Sequence, residues 1–219
     1  KSIVVRAGRI SPAHREMYAR HYSEKGLNHE DGLLDYAKVF GNDNPVVLEV
    51  GFGMGKSLIE MCLANPNLNY IGIEVHTPGV AKILREAEEQ GVENLRVFEH
   101  DAIEILADCI PDGSLATMQL YFPDPWHKAR HNKRRILTPL FAQTIRKKLK
   151  AGGLFHMATD WEHYAEQMLE VMEAAQGYVN NHKKGEYHPR PDFRPLTKFE
   201  VRGEKKGHGV WDLIYKKVS

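Results

Sequence analysis

The chain has 219 residues and carries 30 lysines and arginines against 29 aspartates and glutamates, a formal net charge of +1. This length suits one α/β domain with a sizeable core, and the charge balance confines any polyanion-binding surface to a local patch. Apolar runs are too short to span a membrane, no signal peptide is seen, and the two cysteines lack metal or disulfide spacing, which favours the cytoplasm. We expect a monomer, with a homodimer as the alternative.

Residues 1–43 form a basic arm that we expect to pack on the main domain, residues 44–219. Basic side chains alternate with tyrosines there, and no helical or strand period is visible. Two interpretations of the arm stay open: a surface element packed on the domain, or a contact for a polyanion.

The main domain opens with a strand, a glycine-rich turn and a helix. The run 46–50 is apolar and β-branched, Gly51, Gly53 and Gly55 follow, and a helix is predicted over 56–64. This unit begins an open α/β fold, in which ligands bind outside the carboxyl ends of the strands. Glycine lets the backbone approach such a ligand closely.

The spacing of the glycines separates three ligand classes. A phosphate-binding P-loop would need glycine where Val50 stands, and a dinucleotide fingerprint would need it at Lys56. What remains is Glu49 followed by three alternating glycines. This pattern is similar to the nucleoside-binding turn of class I S-adenosylmethionine-dependent methyltransferases. A glycine-rich turn without a ligand is the alternative.

Four later strands are each predicted to end in or lead to an acid. The strands cover residues 68–74, 95–101, 115–122 and 154–160, and the acids are Glu74, Asp101, Asp124 and Asp160. Glu74 stands about 20 residues after the turn, where an acid usually binds ribose hydroxyls. Asp101 suits an adenine amino group or, alternatively, a helix cap. In a parallel sheet with right-handed crossovers these strand tips share one edge.

Local signals set the remaining elements. Thr77 is predicted to cap a helix, and Phe122 and Asp124, which precede prolines, are predicted to be extended. Leu140 is expected to be buried by a helix that follows the basic run 128–135. That run favours phosphate binding, with a solvated helix face as the alternative. A helix over 161–175, a strand at 178–179, a loop over 183–194 and a strand over 209–215 complete the chain. His182, His188 and His208 lack metal-ligand spacing and are read as surface residues.

Several motifs, taken in chain order, resemble those of a known family. The motifs are the acid before the glycines, Ile73-Glu74, Asp101-Ala102, Phe122-Pro123-Asp124-Pro125-Trp126, the basic run, Thr159-Asp160 and Thr197-Lys198-Phe199-Glu200. The chain resembles the bacterial tRNA (guanine-N7-)-methyltransferase family. The resemblance implies a Rossmann-like class I methyltransferase fold with seven strands, the last antiparallel, and helices on both faces. It also implies methyl transfer from S-adenosylmethionine to N7 of guanine 46 in the tRNA variable loop.

The resemblance further implies roles for individual residues, with no metal. The donor would be bound by Glu49, Gly51, Gly53, Gly55, Glu74, Asp101 and Asp124, and Asp124 would also be catalytic. The guanine nucleotide would be held by Lys128, Asp160, Thr197, Lys198, Phe199 and Glu200. The RNA would be faced by Arg130, His131, Asn132, Lys133, Arg134 and Arg135. Whether Asp160 or Glu200 accepts hydrogen bonds from guanine N1–H and its amino group stays open.

Three other functions are weighed against this one. A methyltransferase acting on a protein or small molecule would not bind tRNA. An NAD-dependent oxidoreductase is disfavoured by Lys56 in the dinucleotide fingerprint. A non-enzymatic RNA-binding module would not need acids at five strand tips.

Overall fold

The computed structural model describes residues 11–204 and 209–219, and leaves the side chains at 199, 203 and 204 undescribed. The first ten residues of the predicted arm, and His208, lie outside the described residues. The chain divides after Pro111 into two compact units, residues 1–111 and 112–219.

The first unit alternates helices with parallel strands. Its helices are α1 Pro12–Lys25, α2 Tyr36–Phe40, α3 Lys56–Ala64, α4 Thr77–Glu89 and α5 Ala102–Asp108, with a 3-10 turn at His29–Asp31. Its strands are β1 Gly26–Leu27, β2 Val46–Val50, β3 Asn69–Glu74 and β4 Leu95–Glu99. The register places Val50 beside Ile73 and Glu74 beside Glu99, and β1 pairs in parallel with β4.

The described part of the second unit contains three α-helices and four strands. They are α6 Pro139–Lys148, α7 Glu162–Ala174, α8 Lys198–Glu204, β5 Leu115–Tyr121, β6 Leu149–Thr159, β7 Tyr178–Asn180 and β8 Trp211–Lys217, with a 3-10 helix over Ala129–Arg134. Strand β6 is parallel to β5 and antiparallel to β8, and β7 is antiparallel to β8.

The strands form one sheet in the order β1-β4-β3-β2-β5-β6-β8-β7. The predicted α/β fold, with a mostly parallel sheet and an antiparallel last strand, is confirmed. The seven predicted strands are all present, and β1 adds an eighth from the region that was predicted only as a basic arm. The predicted domain boundary at residue 44 stays a prediction.

The core follows much of the apolar pattern of the sequence, but Leu140 departs from it. All five residues of β2 are buried, as are Val80, Ile83 and Leu84 on α4. Leu140 was expected in the core but is 78% exposed. Helix α6 begins at Pro139, and its buried face carries residues 141, 142 and 145, so Leu140 falls on the opposite side. None of the described helices combines the length and apolarity that crossing a membrane requires.

The start of α4 also differs from the prediction. The N-cap residue is His76, and Thr77 is already helical. The Thr77 hydroxyl instead donates to the carboxylate of Glu99, which also accepts from the hydroxyl of Tyr18 on α1. A tertiary partner at the end of β4 therefore replaces the local cap that the sequence suggested.

Candidate active site

The glycine turn after β2 is open on one side and closed on the other. Gly51, Gly53 and Gly55 have φ values of 74°, 59° and 83°, which favour glycine strongly. A Cβ atom added at Gly51 or Gly53 would meet no described atom within 4 Å, whereas one at Gly55 would lie 2.6 Å from the side chain of Ile83. Helix α4 thus closes the turn at Gly55 and leaves space over the first two glycines.

Two carboxyl groups lie at the ends of the strands beside this turn. Glu49 is 3% exposed, and its Oε1 atom has no hydrogen-bond partner among the described residues. Burial, together with the charge of Glu74, raises the pKa of Glu49 to about 8. Burial also raises the pKa of Glu74, at the tip of β3. Since buried acceptors are nearly always satisfied, this pair suits a ligand that brings hydrogen-bond donors and positive charge.

Helix α4 rests directly against the turn through a residue that the sequence analysis missed. A Cβ atom at Gly79 would lie 2.1 Å from the carbonyl oxygen of Gly53. Only glycine permits this approach of helix to turn. The signal available in the sequence was a glycine inside a predicted helix, which usually has a packing reason.

Asp101 caps α5. Its Oδ1 atom accepts hydrogen bonds from the backbone N–H groups of Ile103 at 2.9 Å and Glu104 at 3.4 Å. The helix-cap interpretation therefore holds for this residue. Its predicted contact with a donor nucleoside is a separate matter and stays a prediction.

In the second unit, the loop after β5 holds two residues in an unusual backbone conformation. Phe122 and Trp126 have φ values of 50° and 45°, although neither is glycine. The prediction of an extended Phe122 is wrong, because its N–H donates to the carbonyl of Ala158 at 2.8 Å and fixes the chain there. Exposed Asp124 accepts from the N–H of Trp126 at 3.0 Å. Strained residues held in this way concentrate at functional sites.

Arg135 anchors this loop and does not face solvent. It is 2% exposed, donates to the carbonyl of Pro125 at 2.6 Å and to Gln167 at 2.8 Å, and stacks on the ring of Tyr164 at 4.7 Å. The prediction that Arg135 faces RNA is wrong for this conformation. A charged residue in a basic run was read as exposed because its buried partners are distant in sequence.

The rest of the basic run keeps its charges in solvent. The exposed members are Lys128, Arg130, Lys133 and Arg134, and His131 and Asn132 are half-buried. The guanidinium of Arg134 lies over the ring of Trp126 at 5.0 Å, and His131 meets the same ring edge-on at 6.0 Å. These side chains form a cationic and aromatic surface beside the Asp124 loop, within the second unit.

Asp160 lies exposed directly after β6, next to Trp161. The indole of Trp161 is 39% exposed and packs edge-on against His127 at 4.2 Å. Because β5 and β6 are parallel, Asp124 and Asp160 follow the same edge of this unit. The sequence predicted that arrangement from the strand ends.

The segment from Thr197 to Glu200 begins α8 with a capping box. Thr197 Oγ1 accepts from the N–H of Glu200 at 3.1 Å, and Glu200 Oε2 accepts from the N–H of Thr197 at 2.8 Å. Glu200 is 5% exposed, and Arg194 donates to both of its carboxylate oxygens. Lys198 is exposed, whereas the side chain of Phe199 lies outside the described part. A direct contact between guanine and the Glu200 carboxylate does not suit this buried position.

One group among the described residues brings potential metal ligands together: His29, His100 and Glu104. The two imidazole rings are stacked, with centroids 4.5 Å apart and planes 15° apart. A metal ion bonds in the plane of an imidazole, so one ion cannot satisfy both rings in this arrangement. The absence of a metal in the reaction stays a prediction.

Comparison with known proteins defines the class. Residues 43–213 match a family model described as "Putative methyltransferase". The crystal structure of the 16S rRNA methyltransferase KamB aligns with a TM-score of 0.62 and 15% identity, covering 85% of this chain and 95% of that one. The match to the family model defines the chain as a methyltransferase, and its fold is shared with KamB.

Full-length relatives narrow the class to one family. A tRNA (guanine-N(7)-)-methyltransferase of Colwellia psychrerythraea is 60% identical, covering 100% of this chain and 90% of its own length. The protein of that name from Pseudoalteromonas translucida is 58% identical, covering 100% of this chain and 91% of its own length. The chain belongs to the tRNA (guanine-N(7)-)-methyltransferase family.

Proposed function

We propose that this enzyme transfers a methyl group from S-adenosylmethionine to N7 of guanine 46 in the variable loop of tRNA. The observation that carries the proposal is the buried Oε1 atom of Glu49, which has no partner among the described residues and lies beside an open glycine turn. The activity printed in the names of the relatives supports the acceptor.

The first unit fits the donor by its chemistry. Glu74, and Glu49 once it is ionised, offer carboxylate oxygens to hydroxyl and amino donors, and their negative charge suits a sulfonium cation. Gly51 and Gly53 leave room for the ligand to approach the backbone closely. Asp101 follows the end of β4. When bound there, S-adenosylmethionine supplies a methyl group activated by its positive sulfur.

The acceptor needs no proton removed before it reacts. Guanine N7 carries an in-plane lone pair, which forms the new N–C bond as the methyl–sulfur bond breaks. The sulfur becomes neutral and the guanine becomes cationic. The protein therefore contributes alignment and electrostatic stabilisation, and a general base is unnecessary.

The second unit supplies that alignment and stabilisation. The loop after β5 holds Asp124 exposed, with its Oδ1 atom fixed by the N–H of Trp126. Arg135 fixes the same loop by donating a hydrogen bond to the carbonyl of Pro125. A carboxylate that is held in place stabilises positive charge on guanine without reorganising during the reaction. We assign Asp124 this catalytic role.

The partner is tRNA, and guanine 46 must leave its stacked position to reach the enzyme. Exposed Lys128, Arg130, Lys133 and Arg134 suit the phosphates that flank it. We propose that the enzyme acts as a monomer, without a metal, in the bacterial cytoplasm, where its tRNA substrate is found.

The test replaces Asp124 with Asn, a change that keeps size and removes charge. We expect methyl transfer at saturating donor to fall by about 100-fold or more, and donor affinity by isothermal titration to fall as well, because Asp124 is also proposed to bind the donor. Asp43→Asn, which alters an exposed aspartate of the first unit, is the matched control and should act as the wild type. Wild-type turnover in Asp124→Asn would contradict the catalytic role, and an active wild type that ignores tRNA would contradict the proposed acceptor.

A further inference from the structure

A charged network is buried in the second unit around Arg194. The guanidinium donates to Asp212 on β8 from Nε and Nη2, both at 2.7 Å, and to Glu200 from Nη1 at 2.9 Å and Nη2 at 2.7 Å. Arg194 is 1% exposed, Asp212 2% and Glu200 5%. Three charged groups are thus removed from water and joined by four charge-assisted hydrogen bonds.

The network continues into the sheet. His156 on β6 hydrogen-bonds Asp212 through Nε2 and the hydroxyl of Tyr121 through Nδ1, each at 2.7 Å. Burial lowers the pKa of His156, so the neutral ring donates from Nε2 to Asp212 and accepts from Tyr121 at Nδ1. The guanidinium of Arg194 also lies over the ring of Phe122 at 5.7 Å. Phe122 is the strained residue two positions before Asp124.

Internal donors engage both carboxylate oxygens of Glu200, a residue that is only 5% exposed. Oε1 accepts from Arg194, and Oε2 accepts from both Arg194 and the N–H of Thr197. Burial alone would raise the pKa of Glu200, but the hydrogen bonds from Arg194 hold it below its ordinary value, so the group stays ionised. Reading guanine with Glu200 would require the base to enter a position that is almost closed to solvent. Asp160, exposed after β6, meets no such obstacle.

Buried ion pairs are weak sources of stability, since apolar replacements of both partners are often as stable. They do restrict the conformations that a segment can adopt, because each wrong arrangement leaves a charge unpaired. Here the network joins the start of α8 to β8, β6 and Phe122. It therefore fixes Thr197 and Lys198 relative to the loop that carries Asp124.

We propose that Arg194 is a positioning residue for the guanine-binding segment, with Glu200 as its anchor, and that Asp160 is the carboxylate that accepts from guanine N1–H and the 2-amino group. This inference rests on the proposed function. Arg194 acts through Thr197, Lys198 and Phe122 and does not touch the base.

The test pairs enzyme variants with tRNA transcripts that carry guanosine or inosine at position 46. Inosine lacks the 2-amino group and keeps N7 and N1–H. If Asp160 reads the amino group, the losses from Asp160→Asn and from inosine overlap and do not multiply. For Glu200→Gln the losses multiply, because the anchor does not contact the base. The assignment would be overturned if the losses from Glu200→Gln and from inosine overlapped, or if the losses from Asp160→Asn and from inosine multiplied.

Variants at Arg194 separate positioning from stability. We expect Arg194→Met to raise KM for tRNA about 10- to 100-fold, to leave donor affinity unchanged and to lower the unfolding temperature. Arg194→Lys keeps the positive charge but lacks the forked guanidinium, so its KM for tRNA should lie between those of the wild type and Arg194→Met. Arg194→Met combined with Glu200→Met and Asp212→Asn removes all three charges of the network, so stability should recover while KM stays raised. Recovery of KM together with stability would reduce the network to a structural role.

The wild-type enzyme distinguishes the two levels of failure. If it does not methylate the guanosine transcript, the proposed function is refuted. If it does, and Glu200→Gln alone abolishes discrimination between guanosine and inosine, only the assignment of anchor and reader is refuted.

Discussion

The carboxyl group of Glu49 lies buried near the end of β2, where burial and the charge of Glu74 raise its pKa to about 8. Below that pH the donor-free protein holds it mostly protonated. If the donor is bound by the ionised form, binding releases a proton. Affinity for S-adenosylmethionine should then rise by about tenfold per pH unit from pH 6 towards 8 and level off above it.

Isothermal titration between pH 6 and 9, in buffers of different ionisation enthalpy, measures both the affinity and the released proton. The amino group of the ligand titrates in the same range, so Glu49→Gln is the control. This variant should bind weakly and lose most of the pH dependence. An unchanged slope in Glu49→Gln would mean that Glu49 does not hold the donor.

At the scale of single residues, sequence reasoning succeeds where chemistry follows from neighbours along the chain. Glu49 could be recognised because the strand, the turn and the helix are contiguous. The burial of Arg135 and Glu200 could not be predicted, because it depends on contacts with Pro125, Gln167 and Arg194. A charged residue is expected at the surface unless a partner is known, and these partners are tertiary.

Among the elements, the 3-10 helix Ala129–Arg134 and its flanks present the basic surface assigned to tRNA. Replacing Arg130, Lys133 and Arg134 together with Gln removes three exposed charges and leaves buried Arg135 in place. We expect KM for tRNA to rise, donor affinity to stay constant, and the slope of log affinity against log salt to fall by about 2 to 3.

The matched control for this surface changes three exposed lysines elsewhere, Lys38, Lys147 and Lys150, to Gln. It has the same change of net charge and should leave the salt slope nearly as in the wild type. Equal losses in both triple variants would show that net charge, and not this surface, governs tRNA binding.

Apolar runs predicted the strands β2 to β6, because burial in a parallel sheet imposes that pattern. Strand β1 was missed, since it has only two residues and depends on pairing of Gly26 with Val97 and of Leu27 with Phe98. The Tyr22 hydroxyl also donates to the Leu27 carbonyl at 2.6 Å. Helix α8 had a usable signal, Thr197 followed three residues later by Glu200.

For the whole molecule, the residues proposed to bind the donor and those proposed to bind the acceptor are divided between the two units. The first carries the glycine turn with Glu49 and Glu74, and the second carries Asp124, Asp160 and the basic surface. Within each unit, the sequence could predict which acids follow strand ends, because chain topology limits where parallel strands end. The acceptor came from resemblance and from the relatives, since geometry alone supports a methyltransferase without naming its substrate.

The central claim is methylation of guanine 46 at N7, and mapping the modified nucleotide tests it most directly. Unmodified tRNA transcripts are incubated with S-adenosylmethionine and the wild-type enzyme, digested, and analysed by mass spectrometry. We predict one N7-methylguanosine per transcript, at position 46, and none when adenosine replaces guanosine 46. Methylation of another nucleotide or another atom, or no methylation of a tRNA that carries guanosine 46, would contradict the account.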